Sequence, residues 1–291
     1  MTADALNRNS PVSAPVPDGA SASQRLAFED YDFLRQDDLR GVRLQLEFLK
    51  PERRLRQEGV ASTIVVFGSA RLLPEEIARA ECAGLEERVR QAPGDSLLVA
   101  ELGRARRRLH YARYYAEARH FAELVSTRFQ REGRLDFVVC TGGGPGIMEA
   151  ANRGAHETGL RSIGFNIQLP HEQQANEYLS ADISFRFHYF ALRKMHFMLR
   201  ALALVAFPGG YGTLDELFEV LTLVQTGKAK PLPIVLVGAQ FWRRAIDFEF
   251  LEAEGMISAD DRKLFAIVDT ADAAVAAVCD FYDGKPPEQQ R

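Results

Sequence analysis

A single stretch, Thr63–Gly68 with the sequence TIVVFG, decides the fold class. It is a short run of β-branched and other apolar residues that ends in glycine, which is typical of a strand buried on both faces of a parallel sheet. Further strand candidates follow it along the chain, at Leu135–Thr141, Arg161–Ile167, Ile183–Phe187, Ala203–Phe207, Pro233–Val237 and Phe265–Val268. Helical patterns lie between most of them. This alternation predicts an α/β protein, in which βαβ units build a parallel sheet with helices on both faces.

The chain divides into three predicted regions. Residues 1–23 contain many Ser, Pro and Ala residues and almost no large apolar ones, so we expect a disordered tail. In residues 24–60, apolar side chains recur at helical spacing, which predicts an N-terminal helical extension of one or two amphipathic helices interrupted at Pro51. Residues 61–285 hold the strand candidates and form the predicted main domain.

The composition excludes several classes of protein. A chain of 291 residues with 46% hydrophobic residues, 26% charged residues and a net charge of -4 is typical of a globular protein and not of a disordered one. The apolar runs Ala201–Phe207 and Leu232–Ala239 are much shorter than the roughly 20 residues needed to cross a bilayer. No basic segment leads into an apolar run at the N-terminus, so we expect no secretory signal and a cytoplasmic protein.

Residue types that commonly bind metals or nucleic acids form no recognisable motif. The cysteines Cys82, Cys140 and Cys279 are far apart and form no CxxC pair, which favours reduced thiols. The six histidines form no HExxH motif, so we expect no metal. The segment Glu101–Arg134 is rich in arginine, but no nucleic-acid motif accompanies it. We therefore interpret it as a solvated helix face or a subunit contact and expect no nucleic-acid partner.

Two glycine-rich turns share one pattern. The sequences TGGGPG at 141–146 and PGGYGT at 208–213 each follow an apolar strand candidate and precede a helix. Such turns bring backbone N–H groups and a helix N-terminus together at the carboxyl end of a strand, where anions bind. The pair predicts a phosphate-binding site. Neither turn has the GxGxxG spacing of dinucleotide-binding proteins, and Gly227-Lys228 lacks the spacing of an NTPase P-loop.

Each of these residues also has a purely structural interpretation. Glycines serve tight turns that need a positive φ. Thr213 to Glu216 fits the helix capping box T-x-x-E, and Glu149 can complement a helix dipole. Arg193 and Lys194 can belong to the solvated face of a helix. Considered without a family, the residues leave both interpretations open.

The combination of motifs resembles the Lonely Guy family of nucleoside-monophosphate phosphoribohydrolases, which older labels call lysine decarboxylases. The resemblance covers about residues 63–282 and is carried by TGGGPGIME at 141–149, by Arg193-Lys194 and by PGGYGTLDE at 208–216. It implies a Rossmann-like, doubly wound parallel sheet and assembly as a homodimer or higher homo-oligomer. It also implies hydrolysis of the N-glycosidic bond of AMP or of an N6-modified AMP such as a cytokinin nucleotide, with water as the only cosubstrate and no cofactor.

The resemblance assigns roles to individual residues. Arg193 and Glu216 become the catalytic pair. The remaining positions are assigned to the phosphate loop and the rest of the pocket, namely Ser69, Gly143, Gly144, Glu149, Lys194, Gly209, Gly210, Gly212 and Thr213. Glycosidic cleavage builds positive charge on the ribose, which a carboxylate stabilises, while Arg193 offers a planar fork of donors to phosphate or ribose oxygens. Because Glu216 lies near a helix N-terminus, we expect its pKa to be held down and its carboxylate to be ionised.

Two other functions use parts of the same pattern. A noncatalytic carrier of a nucleotide or of molybdenum cofactor would place the phosphate of its cargo in the same glycine turns, although the complete Arg193 and Glu216 pair argues against it. A pyridoxal-phosphate decarboxylase needs a Schiff-base lysine. None of the six lysines lies in a context that is recognised for that role.

Overall fold

The computed structural model describes residues 22–131, 134–169 and 174–284. The predicted disordered tail lies outside these residues, apart from its last two positions, which belong to a 3-10 helix at Ala22–Gln24. Within the described part, the chain divides between Leu49 and Lys50 into two compact units. The region boundaries expected at residues 24, 61 and 285 stay predictions.

A parallel sheet forms the centre of the unit that begins at Lys50. The strands of the described residues are β1 Thr63–Phe67, β2 Gln130–Arg131, β3 Arg134–Leu135, β4 Val138–Thr141, β5 Ser162–Ile167, β6 Ser184–Phe187, β7 Ala201–Ala206, β8 Ile234–Val237 and β9 Phe265–Val268. The sheet order is β6-β5-β4-β1-β7-β8-β9, and every neighbouring pair is parallel. β2 and β3 form a separate antiparallel pair. The predicted Rossmann-like α/β fold is confirmed.

Helices cover both faces of this sheet. The helices of the described residues are α1 Tyr31–Leu34, α2 Arg40–Gln57, α3 Glu75–Gln91, α4 Ser96–Tyr111, α5 Arg113–Phe129, α6 Ile147–Glu157, α7 Phe190–Leu199, α8 Tyr211–Gln225, α9 Ala239–Ala245, α10 Phe248–Ala253 and α11 Ala271–Phe281. None of them is long and apolar enough to span a bilayer.

The strand β1 shows how each face is filled. Its residues Ile64 and Val66 join a core that includes Phe121 of α5 and Ala150 of α6. Successive side chains of a strand point to opposite faces. Phe67 accordingly packs on the other face, edge-on to Phe197 of α7 with 5.0 Å between the ring centroids.

The helix α2 continues through Pro51, where an interruption was expected. A proline inside a helix removes one backbone hydrogen bond. Within the unit that begins at Lys50, ion pairs beyond the proline hold residues 52–58 in place and offset that loss. Arg200 donates to Glu52 Oε1 at 2.9 Å, and Arg161 donates to Glu58 Oε2 at 2.9 Å.

A helical hairpin, α3 with α4, lies in the long crossover between β1 and β4. It has a small core of its own, formed by Cys82, Leu85, Leu102 and Ala105. Two arginines of the basic segment pair across this hairpin, Arg106 with Glu86 at 2.9 Å and Arg108 with Glu81. The hairpin is therefore a defined element that ends at Tyr111, the last residue of α4.

Candidate active site

A cavity of about 730 Å³ opens at the carboxyl ends of β1, β4 and β7. From β1, the strands β4, β5 and β6 follow toward one edge of the sheet, and β7, β8 and β9 follow toward the other. The strand order therefore reverses between β1 and β7. Such switch points are where open α/β sheets bind ligands. The predicted site residues that line the cavity are Ser69, Arg193, Gly209, Gly210, Gly212, Thr213 and Glu216. The other four, Gly143, Gly144, Glu149 and Lys194, lie outside its lining.

The turn at 208–213 carries the start of α8. The helix begins at Tyr211 with Gly210 as its N-cap, and among the described residues no side chain caps it. The predicted capping box is therefore wrong, because Thr213 is already the third residue of the helix. Thr213 instead packs against Gly209, where any added Cβ would overlap the threonine side chain. The first N–H groups of a helix have no partner within it, so they are available to a ligand.

The side chain of Glu216 is buried in the second turn of α8. Only 7% of the residue is exposed. Burial raises its pKa to about 7, against the lowering influence of the Lys194 and Arg193 charges, while Glu219 and Asp215 add to the increase. The expected lowering by the helix N-terminus is wrong, because loss of hydration outweighs the favourable charges.

Arg193 reaches the cavity from α7. Its Nε donates to the carbonyl oxygen of Phe165 at 2.6 Å, and its guanidinium lies 5.1 Å from the centre of the Phe197 ring. Burial lowers its pKa, and the charge of Glu216 opposes that change. A Cβ on Gly142 would come within 2.5 Å of Arg193 Nη2, so the glycine leaves room for the guanidinium.

Ser69, which lines the cavity, connects the end of β1 to both glycine-rich turns through hydrogen bonds. Its N–H donates to the carbonyl of Pro208 at 3.0 Å, and its own carbonyl accepts from the N–H of Ile147 at 3.1 Å. Its Oγ accepts from the backbone N–H of Arg71 at 3.1 Å. The serine therefore fixes the end of β1 against both glycine-rich turns.

The first glycine-rich turn, at 141–146, is satisfied within the protein. The N–H of Gly143 donates to Thr141 Oγ1 at 2.9 Å, and its carbonyl accepts from the N–H of Asn176 at 2.9 Å. The side chain of Asn176 donates to the carbonyl of Gly144 at 3.0 Å. With its amide oriented to satisfy both polar atoms, Asn166 donates to Gly142 O and Gly143 O, at 2.9 and 3.2 Å. Three carbonyl groups of this turn thus accept from Asn166 and Asn176, and one N–H group donates to Thr141, while Gly142 lines the cavity.

Glu149 and Lys194 also have partners of their own. Tyr115 donates its hydroxyl to Glu149 Oε1 at 2.7 Å. Lys194 Nζ lies 2.9 Å from Asp215 Oδ1 and 3.0 Å from Glu219 Oε2 on the neighbouring helix α8. The geometry thus brings Lys194 to the carboxylate cluster around Glu216 and not to the cavity wall.

Several lining residues were absent from the sequence prediction. They are apolar, and the clearest are Leu72, Tyr111, Met148, Phe190 and Phe241. Met148 lies inside the TGGGPGIME motif but was given no role, and the other four belong to no motif. The five residues come from four helices and a loop that only the folded chain brings together. In the part of the chain that the structure describes, no group of three His, Cys, Asp or Glu side chains could hold a metal ion.

Parts of the sequence are similar to those of known proteins. The family model described as "Possible lysine decarboxylase" matches residues 148–278. The cytokinin riboside 5'-monophosphate phosphoribohydrolases of Oryza sativa subsp. japonica and Arabidopsis thaliana are 31% and 29% identical to the chain over 138 and 137 residues. Over the matched residues the chain is similar to the Lonely Guy family. The matched parts make up 46% of this chain and 55% and 62% of those two Lonely Guy relatives.

A solved structure with a similar arrangement is the molybdenum-cofactor carrier protein of Chlamydomonas reinhardtii. It is 19% identical to this chain, and the superposition covers 77% of this chain and 99% of that one with a TM-score of 0.45.

Proposed function

We propose that this protein is a phosphoribohydrolase of the Lonely Guy family. It would hydrolyse the N-glycosidic bond of a purine nucleoside 5'-monophosphate, AMP or an N6-modified AMP such as a cytokinin nucleotide, to free base and ribose 5-phosphate. One observation carries the proposal: Glu216, Arg193 and the uncapped start of α8 line a single cavity. A carboxylate, a guanidinium and a helix N-terminus match the charges of this reaction. The names of the plant relatives support the same class of reaction.

The phosphate of the substrate would bind at the start of α8. The N–H groups of the first helical turn and the positive end of the helix dipole attract an anion. Gly210 and Gly212 have open space beside their backbones, so a phosphate can approach closely. The side chain of Thr213, held beside Gly209, would add a hydroxyl donor at the same place.

The ribose would lie between Glu216 and Arg193. Breaking the glycosidic bond leaves positive charge on the ribose ring, and the ionised carboxylate of Glu216 would stabilise it. This stabilisation is stronger in a site from which water is excluded. The guanidinium of Arg193, oriented by its bond to Phe165, would hold phosphate or ribose oxygens with its terminal nitrogens.

Chromatography of AMP incubated with the purified protein tests this function directly. The wild type is expected to release adenine and ribose 5-phosphate. Glu216→Ala and Arg193→Ala are each expected to lose about 100-fold or more in turnover, the usual effect of removing a preorganised electrostatic group. The matched control is Glu249→Gln, an exposed carboxylate on α10, which leaves turnover unchanged.

The outcomes separate the candidates. Near-normal base release by both alanine variants, with their fold intact by circular dichroism, contradicts the assignment of the pair. If the wild type binds nucleotides but releases no base from AMP or from N6-prenylated AMP, the protein is a carrier. Copurification of molybdenum cofactor would identify the cargo in that case.

We also propose that the protein works as a homodimer or a higher homo-oligomer. Large apolar side chains on α7 and α8 are exposed, among them Phe190, Met195, Tyr211 and Phe218. Exposed apolar patches of this kind mark protein contact surfaces. Light scattering on the wild type is expected to give a mass of at least two chains, and Phe218→Asp is expected to lower it. A monomeric wild type at micromolar concentration contradicts the proposal.

A further inference from the structure

One wall of the cavity is formed by apolar side chains, whereas the end proposed to bind phosphate is polar. Two aromatic side chains of that wall, Tyr111 and Phe241, contact each other edge to face, with 6.2 Å between the ring centroids and planes at 90°. Leu72 lines the cavity as well. Both rings are partly buried, so the pair is held in place while part of its surface faces the cavity.

Each ring lies on a helix that has a buried aromatic residue next to it. Tyr111 ends the hairpin of α3 and α4, and its ring lies 5.8 Å from that of the buried Tyr114. Phe241 lies in the first turn of α9, next to Trp242, which is fully buried and donates its Nε1–H to the carbonyl of Val237 at 3.1 Å. A Cβ on Gly238, whose φ is +103°, would lie 2.7 Å from Tyr114 Oη, so the N-cap of α9 is in close contact with α5, the helix that follows α4.

We propose that Tyr111 and Phe241 form the base-binding wall of the cavity and select purine over pyrimidine nucleotides. This inference rests on the proposed function and deepens it. The phosphate end of the cavity consists of backbone N–H groups and charged side chains, which suit a phosphate and a ribose and not the aromatic faces of a base. The aromatic wall is the part of the lining whose chemistry matches a planar, aromatic ligand.

The physical basis is the contact area between rings. Each base that packs on an aromatic side chain gains about 1–3 kcal/mol, whatever its hydrogen-bonding pattern. A purine has two fused rings and covers more of such a wall than the single ring of a pyrimidine. The hairpin of α3 and α4 would then determine specificity, because it positions Tyr111.

Equilibrium binding tests the wall separately from catalysis. The Glu216→Gln protein, which is expected not to consume substrate, is titrated with AMP, CMP and ribose 5-phosphate. Tyr111→Ala in that background is expected to weaken AMP binding about fivefold to 100-fold, the range for loss of one stacking contact. CMP is expected to lose less, and ribose 5-phosphate, which has no base, to bind within about twofold of the parent.

Matched variants show whether the ring itself is responsible. Tyr111→Phe keeps the ring and is expected to keep the AMP affinity. Tyr111→Leu keeps apolar bulk and is expected to lose it, which covers the case in which the alanine variant folds poorly. Leu97→Ala, an exposed position at the opposite end of α4, serves as the control.

Three results would overturn the inference. Unchanged AMP affinity in Tyr111→Ala and Tyr111→Leu removes the wall from base binding and leaves the proposed function standing. Equal weakening of AMP and ribose 5-phosphate shows that Tyr111 supports the shape of the whole cavity. A wild type that neither binds nor cleaves AMP or another nucleoside monophosphate overturns the proposed function, and this inference with it.

Discussion

The two glycine-rich turns have similar sequences but different surroundings. In the turn at 141–146, Asn166 and Asn176 occupy the backbone carbonyls, and Gly143 and Gly146 have positive φ values of 70° and 73°. In the turn at 208–213, Gly210 and Gly212 have open space beside them and line the cavity, whereas only Gly142 of the first turn does so. A phosphate accepts hydrogen bonds from N–H groups, and at the first turn the N–H of Gly143 donates to Thr141 and that of Ile147 donates to Ser69. We therefore infer that the first turn supports the fold and the second binds the substrate.

The largest expected effect is on the stability of the fold, and it comes from Glu216 in the helix that follows the second turn. Its folded pKa of about 7 lies above its ordinary value of 4.5, so the folded state holds this proton more tightly than the unfolded state does. The stability of the fold therefore falls as pH rises from about 4.5 to about 7. Glu216→Gln is expected to raise the free energy of unfolding by up to about 3 kcal/mol at pH 8 and by little at pH 4.

Urea unfolding at both pH values measures this difference, with Glu249→Gln as the control. A glutamine variant that is equally stable or less stable at pH 8 would contradict it. A stabilising change at Glu216 is what the trade-off between stability and function at an active site predicts.

The pH dependence of catalysis is the next largest expected effect. If the ionised form of Glu216 stabilises the ribose cation, kcat/KM falls as pH drops below about 7. At pH 5 the loss is expected to be about 100-fold relative to the plateau at pH 8. Initial rates of base release from AMP between pH 5 and 9 provide the measurement. A rate that rises toward low pH would make Glu216 the general acid instead.

An added methyl group in the first turn is expected to lower the stability of the fold. In Gly143→Ala, the alanine must adopt a φ of +70°, and its Cβ would overlap the Asn166 side chain. The expected loss is about 2 kcal/mol in the free energy of unfolding, from backbone strain and displacement of the asparagine. Thermal unfolding followed by circular dichroism measures it. Unchanged stability with reduced nucleotide binding would assign the first turn to the substrate and break the comparison.

The matched change in the second turn has the smallest expected effect. Gly210 has a φ of -99°, and an added Cβ there meets open space. Gly210→Ala is expected to change the free energy of unfolding by less than about 0.5 kcal/mol. The affinity of the Gly210→Ala variant for AMP is expected to fall instead, because the methyl group occupies the space in which the phosphate is proposed to bind. A loss of stability as large as that of Gly143→Ala would show that the turns do not differ.

The predictions that depended on local patterns were accurate. The strand Thr63–Phe67 and the parallel α/β architecture followed from hydrophobic runs and their alternation with helices. The structure places Glu216, Arg193 and the second glycine turn in one cavity, while their roles in binding and catalysis stay predictions. Errors arose where a local rule competed with tertiary packing, as at Pro51, which lies inside a continuous helix, and at Thr213, the expected cap, which is the third residue of its helix.

The sequence by itself determined the class of fold and the residues that carry charge to the site, because hydrophobic periodicity and glycine spacing are properties of neighbouring residues. Only the tertiary structure decided which glycine turn is open, how far burial raises the pKa of Glu216, and that Tyr111 of α4 meets Phe241 of α9. These properties depend on groups distant along the chain, such as Asn176 beside Gly143. Hydration, charge and contact are set by what surrounds a residue in space, and a local pattern contains no information about that.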